Sequence, residues 1–519
     1  MTPKPAVIRE GATGLLTVSQ HGKSTTFVPD YDMDKARNLL LEFQQLRDDR
    51  GVSLKECYRE EGFNWYPTMV SYLYWYLFFP YIKYAPLVVD WMEGRAEFTW
   101  ENDGQFKTLI ALLAGQACRF SWRQRFHYFL LQWNNRRVAR KSEARLLFFR
   151  FARNDFRTKE IRKVLDMAGA AYLEVVPAPR TAEIVRGLLK GENNYFFSQP
   201  PIMGRGNRFQ RRYALEHLDA ARRRLFAAAI RAVETSITSF IVEYHDHLRA
   251  LRRCQANTFY GLDDVNGYVF PVLYACRTLG MRTIGHQHGA YVKRHAGYIM
   301  EGIATGDFQW FDQVIVWGDY WKQKMQREAK VYPPDFFTVG SNKFATILPA
   351  SVPADREPRT VLIPYEFLAN TMKVGEYMQK LMELGYHVAF KPRPDSALED
   401  QLDSYGLSTS QRENLEIVAK LDALALAKID IVAGTMTTLI YELLPCNKIV
   451  WVLETEYRHL FDLVEEGLAH LVRLADLRPP GQMPPALLAR TCVPSETLFG
   501  VESLSDTLRD KVIGHRGSA

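Results

Sequence analysis

NTFYGLDDVNGYVFPVLYACRTLGMRTIGHQHG, from Asn257 to Gly289, contains one complete strand–helix–strand unit. Asn257 to Asp264 predicts a strand running into a polar turn, Tyr268 to Leu279 a helix stopped by Gly280, and MRTIGHQHG a returning strand. Two strands joined by a helix in this way lie parallel in one sheet. Ligands of an open parallel sheet sit outside the carboxyl ends of its strands. That makes Asp263, Asp264 and the run Gly285-His286-Gln287-His288-Gly289 the first places to look for chemistry.

The same logic extends in both directions. Upstream, ARLLFFRFARND (144–155) is an apolar run closed by a loop signal, followed by a helical stretch over 158–167, a strand at AYLEVVPAP and a long Arg-decorated helix from about 211 to 253. Downstream come the strand FDQVIVWG, a helix over 320–329 and the short strand FFTVGSNK. ILPASVPADREPR then has three prolines and little apolar pattern, which predicts a linker and a domain boundary between Pro349 and Pro358. Beyond it, TVLIPYEF, HVAFKPRP, LEIV, IDIVAG and KIVWVLE predict strands, with helices over 371–384 and from TTLIYELLP. The expected architecture is α/β with three parts: a helical, aromatic-rich segment over 1–140, a Rossmann-like domain over 141–348 and a second over 349–519. The helices expected in the first part lie near 33–49, 68–79 and 107–140.

The 519 residues carry a formal charge of +7, with 47% hydrophobic and 24% charged residues. Such values exclude a disordered chain, a collagen and a disulfide miniprotein, and the length suits two or three domains. The charge is uneven. Fourteen Lys or Arg and three acids fall between Arg119 and Lys163, a local +11 that leaves −4 for the rest. A basic belt on a mildly acidic body points to an anionic partner such as a membrane surface, a glycan or a nucleic acid, unless these are solvated helix faces. Gly62 to Ile82 has no charged side chain but contains Pro67, Pro80 and ten aromatics, which leaves a spanning helix, an interfacial face and plain core as alternatives. Six scattered cysteines without a CxxC, and an N-terminus without a signal-peptide core, fit a reducing cytoplasm.

In the second half, Gly434-Thr435-Met436-Thr437-Thr438 lies between a buried strand and a helix containing Glu442. Free N–H groups and hydroxyls at such a turn bind phosphate, or Thr437 or Thr438 caps the helix. Lys391 and Arg393 of KPRP end a strand in the same half and would add two cations. No GxxxxGK[ST] occurs, so this is not a P-loop. In the first half His288 and Gln287 supply donors and acceptors, and a carboxylate of Asp263 or Asp264 can deprotonate an acceptor or attack an anomeric carbon, or cap the next helix. No carboxylate or cysteine is spaced to complete a metal site with HxH. Arg153, Asp155, Arg205 and Arg208 are weaker candidates for gripping an anion.

The motif order resembles that of bacterial surface-polysaccharide glycosyltransferases of the GT-B type. GMRTIGHQHGAY is similar to the QHG segment of the Kdo transferases of capsule and lipopolysaccharide assembly and, more distantly, of the CDP-glycerol glycerophosphotransferases. FKPRP looks like their Lys-x-His-Pro element with Arg393 in place of His, and AGTMTTLIYE like their Ser/Thr-rich turn. The resemblance implies a GT-B-like fold with two Rossmann-like domains facing a cleft. It implies a nucleotide, typically CMP or CDP, held by Lys391, Arg393, Gly434, Thr435, Thr437, Thr438 and Glu442. Asp264 would be the acid/base or nucleophile, Gln287 and His288 would line the reaction centre, and no metal or other cofactor would be needed.

The expected activity is transfer of a sugar, such as a CMP-activated acidic sugar of the Kdo kind, to a surface glycan or its lipid-linked precursor. The basic belt and an aromatic face would hold a cytoplasmic enzyme peripherally at the inner membrane. The alternatives are a sugar-nucleotide epimerase of the same shape and a non-catalytic scaffold for polysaccharide assembly. A nucleic-acid partner is disfavoured because no standard binding module is visible and the remaining body is acidic.

Overall fold

The computed structural model describes residues 5–11, 15–20, 22–115, 122–150, 156–177, 179–190, 195–198, 208–262, 265, 267–340, 357–366, 368–393 and 397–514. Its first part is not simply helical. Strands β1 (Ala6–Glu10), β2 (Leu16–Gln20), β3 (Lys23–Phe27) and β4 (Phe98–Trp100) form a sheet in the order β3-β2-β1-β4. These strands are short and β3 is almost wholly solvent-facing, so they carry little of the alternating apolar pattern by which strands are read. Helix α1 (Met33–Gln44) starts at Asp32, whose carboxylate accepts from the Lys35 amide. Its buried Met33, Ala36, Leu40 and Phe43 recur at helical spacing.

The aromatic segment Gly62 to Ile82 is core, so neither a spanning helix nor an interfacial face is formed there. Trp65, Tyr66, Tyr74, Leu77 and Phe78 are fully buried, Phe43 lies 5.6 Å from Phe78, and Phe63 stacks on Tyr274 at 4.1 Å. Only Tyr76 among its large side chains is exposed. Helix α2 (Trp122–Lys141) follows.

The first parallel sheet contains β5 (Leu146–Phe149), β6 (Tyr172–Pro177), β7 (Tyr195–Ser198), β8 (Thr258–Leu262), β9 (Arg282–His286), β10 (Gln313–Val316) and β11 (Phe337–Val339). Their order is β11-β10-β9-β8-β5-β6-β7. The chain starts in the middle, winds to one edge, then returns and winds to the other, which puts a topological switch point between β5 and β8. Helices α3 (Phe156–Met167), α4 (Thr181–Lys190), α5 (Ala220–Leu251) and α6 (Asp319–Glu328) belong to this half. Among the described residues α5 is the one helix long and apolar enough to cross a membrane, and most of that apolar stretch is buried in the protein.

The second sheet repeats the winding. Strands β12 (Thr360–Pro364), β13 (His387–Lys391), β14 (Glu416–Ile417), β15 (Ile431–Gly434), β16 (Ile449–Leu453) and β17 (His470–Val472) run in the order β14-β13-β12-β15-β16-β17, with the switch point between β12 and β15. All neighbours within both sheets are parallel. The architecture is therefore α/β and GT-B-like, with two Rossmann-like halves.

The halves meet through helices that follow their strands. Trp321 of α6 lies 5.0 Å from Tyr441 of α7 (Leu439–Leu443). The Lys324 ammonium, almost fully buried, sits 2.5 Å from Asp462 in α8 (Phe461–Glu465) and 3.1 Å from Glu466. At the chain end, Leu508 and Val512 return to pack with Leu146, Phe148 and Ile161 of the first half. The proline-rich linker falls largely on 341–356, outside the described residues.

Candidate functional site

The second sheet's switch point is where its chemistry converges. TVLI fills β12 with buried branched side chains, and the chain leaves the sheet at Pro364, delivering Glu366 to the gap beside β15. Glu366 has no solvent exposure. Its carboxylate accepts from the Thr435 amide at 3.0 Å and the Thr435 hydroxyl at 3.3 Å, and the Met436 and Thr437 amides also donate to it. The threonine turn predicted to cradle a phosphate is therefore already holding an anion supplied by the protein itself. Burial pushes the Glu366 carboxyl up to about 7, against the pull of those donors.

Gly434 makes this approach possible. A Cβ there would collide with the Glu366 carboxylate and lie 2.9 Å from Ile440 Cδ1. Gly434→Ala is expected to displace Glu366 and to cost about 1–3 kcal/mol, the range for overpacking a tight site, as read from the urea midpoint.

The other predicted donors are arranged around this nest. Thr437 Oγ1 accepts from the Leu439 amide at 3.3 Å, while Thr438, the N-cap residue of the short helix α7, makes no side-chain capping bond. Thr438 and Glu442 are half-buried, and the Glu442 amide donates to the Thr438 carbonyl. Lys391 is one strand away, in register with Pro364; its ammonium donates to the Pro392 carbonyl at 2.9 Å, and burial lowers its pKa. Arg393 is exposed, its backbone clamped by both ends of the Gln401 amide.

In the first half, the ends of β8 and β5 fall outside the described residues, and with them Asp263, Asp264, Arg153 and Asp155. Arg205 also lies outside, while Arg208 forms an ion pair with Glu60. Gln287 is buried and fully committed: its carbonyl oxygen accepts from the Trp317 amide at 2.9 Å and its amide donates to the Gly289 carbonyl at 2.9 Å. It ties the end of β9 to the end of β10 rather than presenting its amide to a ligand. His288 is half-buried; its carbonyl accepts from Arg157, and its Nδ1 lies 3.5 Å from the Tyr298 hydroxyl.

Between the two halves is a cluster that the motifs did not single out. The His295 ring lies 4.3 Å from Tyr298 and 5.5 Å from Trp75. His459 stacks on Tyr457 at 5.7 Å and is close enough to lower the His295 pKa, as His288 does. Burial, reinforced by these neighbours and by Lys324 and Arg294, brings His295 to about 3 and His459 to about 4, so both are neutral at pH 7. Tyr457 is buried, packs on Phe79 and feels the charge of Glu366. Polar side chains of the two halves, Glu366, Tyr457 and His459 on one side and His295, Tyr298 and His288 on the other, thus lie near enough for Glu366 to act on Tyr457, and for His459 and His288 to act on His295, electrostatically. Glu366 stands in the quoted TVLIPYEF, where the reasoning applied to Asp263 and Asp264, a carboxylate just past a strand's carboxyl end, would have found it. His295 and His459 are isolated in sequence and only the closed fold brings them together. Among the described residues, no group of three or more His, Cys, Asp or Glu is placed to hold a metal ion.

The basic belt divides. Arg162 grips the buried Glu174 with two nitrogens at 2.9 and 2.5 Å, and Arg150 reaches the same carboxylate at 3.2 Å. These two cations are internal partners. Much of the remainder lies on α2.

No family model matches the chain, and no curated protein does. Among solved structures it is similar to MurG of Acinetobacter baumannii, at 14% identity and a TM-score of 0.38 over 71% of this chain and 99% of that one. It is similar to the calicheamicin glycosyltransferase CalG4 at 11% identity and a TM-score of 0.36, over 71% of this chain and 93% of that one. It is also similar to the UDP-GlcNAc 2-epimerase of Neisseria meningitidis, at 10% and 0.34, over 63% and 87%.

Proposed function

We propose that this protein is a glycosyltransferase that moves a sugar from a nucleotide donor to a glycan or its lipid-linked precursor. The observation that carries the reading is the amide nest at the second sheet's switch point, filled by a buried carboxylate whose pKa is pushed up to about 7. The donor's phosphate would take the place of the Glu366 carboxylate on the Thr435 to Thr437 amides, with Lys391, at the end of β13 on the far side of β12, as a further positive charge. In the transfer, the bond from the anomeric carbon to the phosphate oxygen breaks and a bond to the acceptor oxygen forms. The acceptor's proton passes to a base of the first half, for which Asp263, Asp264 and His288 are the candidates. Negative charge develops on the departing phosphate, and fixed amide dipoles stabilise it there without reorganising.

On the motif resemblance the proposed donor is a CMP-activated acidic sugar such as Kdo, and on the basic belt the enzyme is proposed to work peripherally at the inner membrane, where lipid-linked acceptors reside. CMP is expected to raise the melting temperature: a ligand at a hundred times its Kd contributes about 2.7 kcal/mol, a few degrees for a chain of this size. The absence of any shift with CMP, CDP and UDP would sink the nucleotide site.

A second reading, a sugar-nucleotide epimerase, draws on the same titratable groups, because a carboxyl near 7 in the second half and neutral imidazoles where the halves meet are groups that can move a proton on and off a sugar ring. Conversion of a sugar nucleotide with no acceptor present would favour it over transfer.

A further inference from the structure

We infer that the solvent face of α2, together with the end of α5, is a docking surface for an anionic lipid bilayer, formed by a stripe of exposed aromatics that runs into a cluster of five arginines. Phe126 is 53% exposed, Phe129 64% and Trp133 52%. They stand at i, i+3 and i+7, and Arg136 and Arg140 continue the same stripe at i+10 and i+14, over about 20 Å of helix. Three of the five large aromatics exposed among the described residues thus share one face of one helix. These rings stay exposed among the described residues, and aromatic rings beside cations are the composition that settles at a bilayer's headgroup level.

The charge half is equally specific. Arg136 and Arg140 line an open groove of about 360 Å³ with Arg249, Arg252 and Arg253 from the end of α5. Arg249 pairs with Asp246, but Arg136, Arg140, Arg252 and Arg253 form no ion pair with a described residue. Elsewhere the exposed arginines commonly do, as Arg37 does with Glu301, Arg59 with Asp307 and Arg359 with Glu357. Four unpaired guanidinium groups held together repel one another, and phosphate-bearing headgroups relieve that repulsion with bidentate hydrogen bonds. Helix α4, joined to α2 by the His127–Thr181 hydrogen bond at 2.8 Å, adds the exposed Val185 and Leu189. A single-stranded nucleic acid is the less fitting occupant, since three rings in line along one convex helix favour a flat apolar phase over bases stacked within a groove.

The inference rests on the proposed membrane-side role for its purpose, but the experiment reads binding and not transfer. Full-length protein is floated with vesicles of phosphatidylcholine alone and with vesicles one third phosphatidylglycerol. Binding is expected to the second only, falling as salt rises. Phe129→Ser with Trp133→Ser, and separately Arg136→Glu with Arg253→Glu, should each weaken it at least about tenfold while leaving the CMP thermal shift intact. These side chains are exposed, so the intact shift also reports a folded protein. Equal binding to both vesicle types, or variants that float like the wild type, would overturn the docking surface. So would no vesicle binding together with capture of single-stranded DNA that the same variants lose. A lost docking surface with a retained CMP shift leaves the transferase reading standing, and vesicle binding without any nucleotide shift does the reverse.

Discussion

Replacing Lys324 by Met is expected to lower the stability of the protein by about 3–5 kcal/mol, more than any other single change considered. The ammonium is nearly sealed from solvent, 2.5 Å from Asp462 and 3.1 Å from Glu466, and Asp462 is equally buried. Asp462 also accepts from the Tyr441 hydroxyl at 3.2 Å, so the carboxylate is the hub of the contact between α6, α7 and α8. Removing the cation leaves that carboxylate desolvated without a counter-charge, which is where the cost arises. Glu466 keeps Arg327 at 2.7 Å and suffers less. The pair as such is worth far less than its breakage: Lys324→Met combined with Asp462→Leu should recover most of the loss. Urea midpoints of the three proteins check this, and a single variant that unfolds like the wild type would show that the pair does not hold the halves together.

The second large effect is expected at Glu366. Its carboxyl is raised from the ordinary carboxylate range to about 7, so between roughly pH 4.5 and 7 the folded protein keeps a proton that the unfolded chain has released. Stability therefore falls as pH rises through that window and levels off above it, by roughly 3 kcal/mol in all. Glu366→Gln should flatten this slope. The same titration acts on the donor site, because an ionised carboxylate on the amide nest competes with phosphate and a neutral one does not. Raising the pH from 6 to 8 is expected to weaken nucleotide binding to the wild type about tenfold more than to Glu366→Gln. The titration of the nucleotide's own phosphate is common to both proteins and cancels. Equal pH dependence in calorimetric titrations of the two would remove Glu366 from the donor site.

The sequence carried the two wound sheets because their central strands are continuous apolar runs ended by Gly or polar turns, a pattern that survives without tertiary context. It did not carry the first sheet of four strands, whose outermost strand KSTTF is solvated and almost without apolar residues. The aromatic segment illustrates the opposite failure. Its composition fitted a membrane interface, yet burial, as of Phe78 against Phe43 and Phe63 against Tyr274, claims most of those rings, and three of the five exposed aromatics among the described residues lie on α2, where arginines interrupt the pattern. At the site, the threonine turn was legible from its hydroxyls and its place after a strand. What filled it was not, since the partner of Thr435 is 69 residues away in sequence and the contact exists only because β12 and β15 are neighbours. The partners of Gln287, at a strand end, and of Arg208, in a Gly-rich loop, were equally hidden: Trp317 and Glu60 come beside them only in the folded chain.

The central claim is that a nucleotide's phosphate binds the Thr435 to Thr437 amides at the switch point of the second sheet. A crystal structure with CMP bound tests it most directly. The account predicts phosphate oxygens within hydrogen-bonding distance of those amides, with the Glu366 side chain moved out of the nest. Phosphate bound elsewhere, with Glu366 still accepting from Thr435, would contradict it.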